Sequence, residues 1–439
     1  MAKVRPIYGL RYGSSGGDIS RVVSPPYDVI SPEMQRLLHE RQGENIVHVD
    51  FALESGDPGE NKYTKSRRYL EDWINREVLV QDKAPTLYYY EQEFSMGGTV
   101  QLVRSGFVCG LLLEKFGEEN VFPHESTLLS PKIDRLNLMK ETGHATSPIF
   151  GIYDDRENNN ALRMRQNLDG DPPNVEVVDD LGVVHRMWLV QQEEIISDIC
   201  ASLEGKKVFI ADGHHRYETA LAYRDTMREK GADEPDGAWN YVLIFLAASG
   251  DDGLVILPTH RGIKGIGSDL MITMRNKWEQ FFTITEIGGA PEDLIRAVEE
   301  NGERGHALGM ALQGEKQFLL FIDRKEAGER GQLRDFPPPV RGLDVTILHR
   351  LGLEEVLGIS PDEVSAGERV AFYKDRDQGF QDLKGGVIDV FFYLNPVSME
   401  QFMEVSKIGF HLPQKTTYFY PKILTGLVLL PVGEEDRIG

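Results

Sequence analysis

The sequence predicts an α+β fold of mixed sheets, divided into two domains near residue 265. Three observations predict it. Residues 208–221 pass from an apolar, β-branched strand through a charged turn into a helical period. Residues 86–116 read as two long strands around a glycine-rich joint, the pattern of a hairpin. After Gly267 a new series of amphipathic helices and apolar strands begins.

Taken in order, the first 60 residues mix short strands with turns. Pro25 and Pro26 fix φ and bias their predecessors towards extended geometry, so Ser24-Pro25-Pro26-Tyr27-Asp28 is a rigid segment. Ser31 as N-cap and Pro32 at the first helical position predict a helix that buries Leu37 and Leu38. Residues 62–77 are predicted helical, with Tyr69, Leu70, Trp73 and Ile74 inward. Strands follow at 86–94 and 101–116, the second running towards Val121-Phe122-Pro123-His124-Glu125. A strand is predicted at 147–153, a helix at 161–168, a hairpin at 175–178 and 183–189, and a helix at 192–203. Strands at 208–211, 241–247 and 254–257 complete a first domain, residues 1–265.

The second domain, 266–439, is predicted as mixed α/β. It has helices at 270–282 and 292–300, a hairpin at 306–312 and 317–322, a helix at 345–357, a strand at 387–394 and a helix at 399–406. Residues 326–339 are charged, end in prolines and read as an exposed loop. The sequence carries no internal repeat and no low-complexity segment.

Composition narrows the function. Seventy acids against 48 bases give a formal charge of −22 in 439 residues. Such a field repels a long phosphate backbone, so nucleic acid is excluded as a partner, whereas a mononucleotide in a local basic pocket is not. No stretch approaches 18 apolar residues, which predicts no membrane partner, and no signal-peptide pattern opens the chain. The expected location is cytoplasmic. Cys109 and Cys200 lie far apart without metal-ligand spacing, and Cys109 falls in an apolar run that predicts a buried thiol.

The chemistry concentrates at Asp212-Gly213-His214-His215-Arg216. Asp212 is a natural N-cap, Gly213 allows a positive φ, and the first-turn amides with the helix dipole suit an anion. Adjacent histidines at a helix start splay by roughly 100°, so one metal rarely takes both. No HExxH or comparable array accompanies them. A phosphate cradle made by the backbone amides of Gly213, His214 and His215, with His215 and Arg216 supplying charge or directional donors, fits better. Asp212 then either caps the helix or binds Mg²⁺ that bridges phosphate oxygens.

Pro123-His124-Glu125 presents side chains at a turn, with Glu125 as preferred general base and His124 beside it. Lys132 and Arg135 either steady phosphates or form a solvated helical face. Asp28 either binds substrate amine or metal, or caps its own turn. Thr259-His260-Arg261, at the end of an apolar strand, offers His260 as a substrate contact. Tyr418-Phe419-Tyr420-Pro421-Lys422 reads as aromatic packing, with Lys422 the exception worth testing.

The string Ala211-Asp212-Gly213-His214-His215-Arg216-Tyr217-Glu218-Thr219-Ala220-Leu221 resembles the signature of a bacterial and archaeal family of unknown function. The likeness extends through Ser24–Ile30, Pro123–Glu125, Lys132 with Asp134 and Arg135, Leu257–Arg261 and Thr417–Lys422. More remotely, Asp-Gly-His-His-Arg resembles the nucleotide-phosphate turn of the ParB/sulfiredoxin superfamily, which includes kinases acting on free serine. That resemblance implies a ParB/sulfiredoxin-like nucleotide-binding core, ATP or ADP with Mg²⁺ as cofactors, and phosphoryl transfer to a small hydroxyl substrate such as serine. A noncatalytic nucleotide sensor and a metal-dependent hydrolase using the imidazoles stand as the alternatives.

Overall fold

The computed structural model describes residues 2–54, 56, 59–125, 129–266, 274–314, 316–323, 326, 330–410, 412–413 and 415–439. Nine strands form one sheet: β1 (Val4–Arg5), β2 (Leu87–Met96), β3 (Val100–Leu112), β4 (Val121–Phe122), β5 (Ile149–Tyr153), β6 (Val175–Val178), β7 (Val184–Val190), β8 (Val208–Asp212) and β9 (Tyr241–Ala248). Their order is β4-β8-β5-β9-β3-β2-β7-β6, with β1 also on β3. The strands with unbroken apolar runs take the centre, and β9 and β5 are buried along their whole length.

The expected hairpin is β2–β3. Gly97 and Gly98 both adopt positive φ, 58° and 75°, a conformation other residues adopt at a cost. β3 ends at Leu112 rather than at residue 116, and a turn through Gly117 at φ 74° follows.

The longer helices with this sheet are α1 (Pro32–Arg41), α2 (Lys62–Asn75), α3 (Leu129–Thr142), α4 (Asn159–Asn167) and α5 (Glu193–Leu203), and α6 (His214–Glu229) follows β8. Ser31 caps α1 by accepting from the Met34 amide at 3.2 Å, as its sequence predicts. Leu38 is buried at 1 % exposure, but Leu37 is 63 % exposed. Successive helical positions lie roughly 100° apart, and here only one of the two leucines faces the core. In α2, Leu70 and Trp73 are buried while Ile74 is exposed. α3 packs on both α2 and α6.

A six-stranded antiparallel sheet forms separately from β10 (His260–Ile263), β11 (Thr283–Ile287), β12 (Gly305–Leu312), β13 (Lys316–Asp323), β14 (Val370–Tyr373) and β15 (Val390–Leu394), in the order β11-β13-β12-β15-β10-β14. Helices α7 (Pro291–Gly302), α8 (Arg376–Lys384) and α9 (Met399–Lys407) accompany it. The helix expected at 345–357 begins as α over Asp344–Ile347 and continues with wider π turns over Leu348–Val356. Of the helix expected at 270–282, residues 270–273 lie outside the described residues, and Arg275–Trp278 is helical. In the expected loop 326–339, residues 327–329 lie outside them and Gly331–Asp335 forms a 3₁₀ turn.

Contacts gather the chain into two units, one of residues 1–123, 127–255 and 421–439, the other of 124–126 and 256–420. Residues 421–439 join the first unit through bonds such as Leu429 to Leu10 and the pairing of Leu430 with Ala145. The architecture is α+β with several sheets. Among the described residues no helix is long and apolar enough to cross a membrane. Both cysteines are buried and unbonded to each other.

Candidate functional site

The strand–turn–helix at 208–229 forms as its sequence predicts. The ladder between β8 and β5 shifts register between Ile210 and Asp212, and such an irregularity bends a strand at its end. Gly213 follows at φ 92°. A Cβ on it would lie 2.7 Å from Ile149 Cγ2 and 3.1 Å from Arg216 Nε, so the backbone path requires glycine.

Asp212 does not cap α6. The N-cap is Gly213, and no side chain caps the helix there. The carboxylate turns to two cations instead: Oδ2 accepts from Arg216 Nη2 at 2.7 Å, and Oδ1 accepts from Lys422 Nζ. Full charges hold a partly buried carboxylate more strongly than neutral amides do. Burial alone would raise the pKa of Asp212, but Lys422 and Arg216 more than offset it and hold it well below the carboxylate range.

Arg216 is fixed from three sides. Its Nη1 donates to Ser147 Oγ at 3.2 Å and to the Pro148 carbonyl at 2.7 Å, while Nη2 donates to Asp212. These bonds use three of the five guanidinium N–H groups. Among the described residues no hydrogen bond takes Nε–H or the second Nη2–H, and Nε lies close to where a Gly213 side chain would stand.

α3 brings further charge. Lys132 Nζ is 2.9 Å from Glu218 Oε2. Arg135 donates to Asp134 Oδ2 at 2.6 Å and to the Asp50 carbonyl at 2.6 Å, and its guanidinium covers the Tyr27 ring at 4.3 Å. These two cations are therefore ion-paired and partly buried rather than solvated. Burial, opposed by Arg216, pushes the Tyr27 hydroxyl up to about 12. Burial also lowers His215, against the pull of Glu218 and of Asp28, which places exposed Asp28 within electrostatic reach of the turn. His214 is buried, its ring centroid 6.5 Å from that of Phe116. A cavity of about 40 Å³ is lined by Arg216 with Asp50, Arg135, Thr146, Ser147 and Thr219 among others. Asp50 Oδ2 is buried with no hydrogen-bond partner among the described residues, in a space large enough for a water.

Asp28, Lys132, Arg135 and residues 212–216 are thus gathered in the first unit. His124, Glu125 and His260 belong to the second. His124 is buried, with Nε2 at 2.7 Å from Thr417 Oγ1 and its ring edge-on to Phe402. Glu125 is half-buried and accepts from the Lys415 amide at 3.1 Å. His260 begins β10 instead of ending a strand. It stacks on Tyr393 at 4.5 Å, accepts from the Leu394 amide, and is driven by burial, then by Arg261, to a pKa of about 3. Lys422 and Asp50 join the site without having been placed there by sequence. The lysine of Thr417–Lys422 was the available signal for the first; nothing local signalled the second.

The family profile described as a protein of unknown function, DUF1015, matches residues 4–346. The chain belongs to the DUF1015 family. No curated protein matches it in sequence. Among solved structures, a conserved hypothetical protein from Pyrococcus furiosus is 14% identical at a TM-score of 0.33, over 70% of this chain and 92% of that one. Free serine kinase in complex with AMP is 15% identical at 0.34, over 72% and 97%. SbnI with a C-terminal truncation, from Staphylococcus aureus, is 11% identical at 0.35, over 71% and 84%. TM-scores this low do not carry the neighbours' chemistry to this chain.

Proposed function

We propose that the first unit, read as a ParB/sulfiredoxin-like core, holds a nucleotide by its phosphates at residues 212–216 and that the protein transfers a phosphoryl group to a small hydroxyl compound such as free serine. One observation carries the reading: Arg216, in the first turn of a long helix, is anchored by Ser147, Pro148 and Asp212 and keeps two N–H groups unbonded among the described residues, with Lys422 on the same carboxylate. Cationic donors at a helix start are suited to phosphate. Phosphoryl transfer depends chiefly on positioning and electrostatics, which such a turn supplies. Lys132 and Arg135 are proposed to extend the positive ground, Asp28 to meet the acceptor's amine, and Glu125, next to His124, to take the hydroxyl proton.

Mg²⁺ bound with a nucleotide would neutralise phosphate charge. Among the described residues no group of three or more His, Cys, Asp or Glu is placed to hold a metal, and both Asp212 oxygens are occupied by cations. The residues as placed do not fit a resident metal.

A second reading, nucleotide sensing without turnover, is favoured by the pairing of Asp50, Asp134, Asp212 and Glu218 with cations, which leaves these acids poor bases. Calorimetry with ATP, ADP, CTP and GTP, followed by phosphate-transfer assays on serine, separates the two. Binding with transfer supports the kinase, binding without transfer or hydrolysis supports the sensor, and the absence of binding refutes both.

A further inference from the structure

A buried polar row crosses the main sheet apart from the charged turn at 212–216. Arg104 on β3 stands opposite Gln92 on β2, which stands opposite His185 on β7. Residues directly opposed on antiparallel strands share a face, and Tyr90, two residues from Gln92, shares it too. Arg104, Gln92 and His185 are 0% exposed.

The hydrogen bonds fix the row's orientation. His185 Nε2 lies 3.2 Å from Asp179 Oδ2, and burial lowers the imidazole below its ordinary pKa. The neutral ring therefore donates through Nε2, and Nδ1 accepts from Tyr90 Oη at 2.5 Å and from Gln92 Nε2 at 3.4 Å. Gln92 Oε1 accepts from Arg104 Nε at 3.1 Å. The output of the row is two successive carbonyls: Gln92 Nε2 donates to Lys422 O at 2.8 Å, and Arg104 Nη2 donates to Pro421 O.

A guanidinium and an amide in an otherwise apolar core are costly to desolvate, and apolar residues of similar volume would serve packing better. What the row gains is a grip on the backbone that carries Lys422. We infer that Gln92 and Arg104 are positioning residues that fix Lys422 against Asp212 and so set the anion affinity of the turn. This rests on reading residues 212–216 as the phosphate site.

The test is a double-mutant cycle on ADP binding by calorimetry, with the full chain as wild type, Lys422→Met, Gln92→Leu and the double variant. Lys422→Met is expected to weaken ADP at least tenfold and Gln92→Leu about threefold to tenfold. The double variant should be no weaker than Lys422→Met alone, because Gln92 acts only through that lysine. A general loss of structure would instead add to the effect of Lys422→Met, and additivity overturns the inference. So does a Gln92→Leu protein with wild-type affinity. If Gln92→Leu does not fold, Gln92→Glu keeps the acceptor for Arg104, removes the donor to Lys422 O, and is read in the same way. Should wild type bind no ADP, or should Lys422→Met bind as wild type does, the phosphate site itself is refuted and the inference falls with it. A weak Lys422→Met beside an unaffected Gln92 variant refutes the positioning role alone.

Discussion

Lys422 and Asp212 form an ion pair although 210 residues separate them in the chain. Arg216 takes the second oxygen of the same carboxylate. Two cations and one anion leave this trio with one net positive charge, directly at a helix start whose dipole has the same sign. Lys132 and Arg135 are balanced by their own acids. The surplus at the turn is therefore small, local and fixed in place within a protein of net charge −22.

Arg216→Ala removes the donors over the turn. Charge-assisted bonds to phosphate are worth roughly 1.5–3 kcal/mol, so ADP affinity should fall on the order of tenfold to a hundredfold. Calorimetry on a variant shown to be folded by circular dichroism measures this. Unchanged affinity would remove the turn as the phosphate site.

What was legible in the sequence is local. The strand, turn and helix at 208–229 followed from an apolar run, a glycine and a 3.6-residue period, and the β2–β3 hairpin from its glycine joint. Lys422 stood in an aromatic run that reads as packing, and no local period reveals a partner 210 residues away. Asp50 ends a four-residue helix, Val47–Asp50, and finds Arg135 across 85 residues. Strand β10 escaped notice because its four residues, with Arg261 and Gly262 inside, neither alternate nor form an apolar run.

Gly213→Ala should destabilise the first unit more than Gly98→Ala. Both positions have positive φ, which costs a non-glycine residue roughly 1–2 kcal/mol. Only at Gly213 does a new Cβ meet a neighbour, Ile149 at 2.7 Å, and overpacking adds about 1–3 kcal/mol. Urea unfolding of the two variants measures the difference, and equal losses would contradict the close approach at the turn.

Asp212→Asn raises the trio's net charge from one to two. Without Mg²⁺, the variant is expected to bind ADP at least as tightly as wild type, while its melting temperature falls because two partly buried cations lose their anion. If Asp212 ligates Mg²⁺ in the nucleotide complex, the strengthening that Mg²⁺ gives wild type should vanish in the variant. A variant that keeps the full Mg²⁺ effect shows that the carboxylate serves Lys422 and Arg216 alone.

Stability should fall as pH drops below about 6.5. Burial is the leading cause that lowers His48 to about 4 and His260 to about 3, and it drives His349 well below the imidazole range. A depressed histidine pKa means that the unfolded chain takes up protons first, so stability present above the unfolded pKa is lost on acidification. Each such histidine contributes about 1.4 kcal/mol per pH unit across that window. Asp212 adds its own loss only below about 4, where unfolded carboxylates protonate. Urea midpoints at pH 7.5, 6, 5 and 4.5 should decline throughout, and a flat profile would mean that these rings are not buried neutral.

Glu125→Gln separates chemistry from binding. The proposed base acts on the acceptor's proton in the transition state, whereas the phosphates are proposed to lie at residues 212–216 and Lys422. The substitution keeps size and leaves Oε1 able to accept from the Lys415 amide, so the local fold should survive. Loss of a general base typically forfeits about 10²–10⁴ in rate. The expected signature is a large fall in kcat at a nearly unchanged ADP dissociation constant. Normal turnover would move the role to another carboxylate, and Asp28 is the first to try, being exposed and within electrostatic reach of His215. Loss of ADP binding would instead place Glu125 among the groups that hold the nucleotide, and the proposed division between a binding turn and a separate base would be wrong.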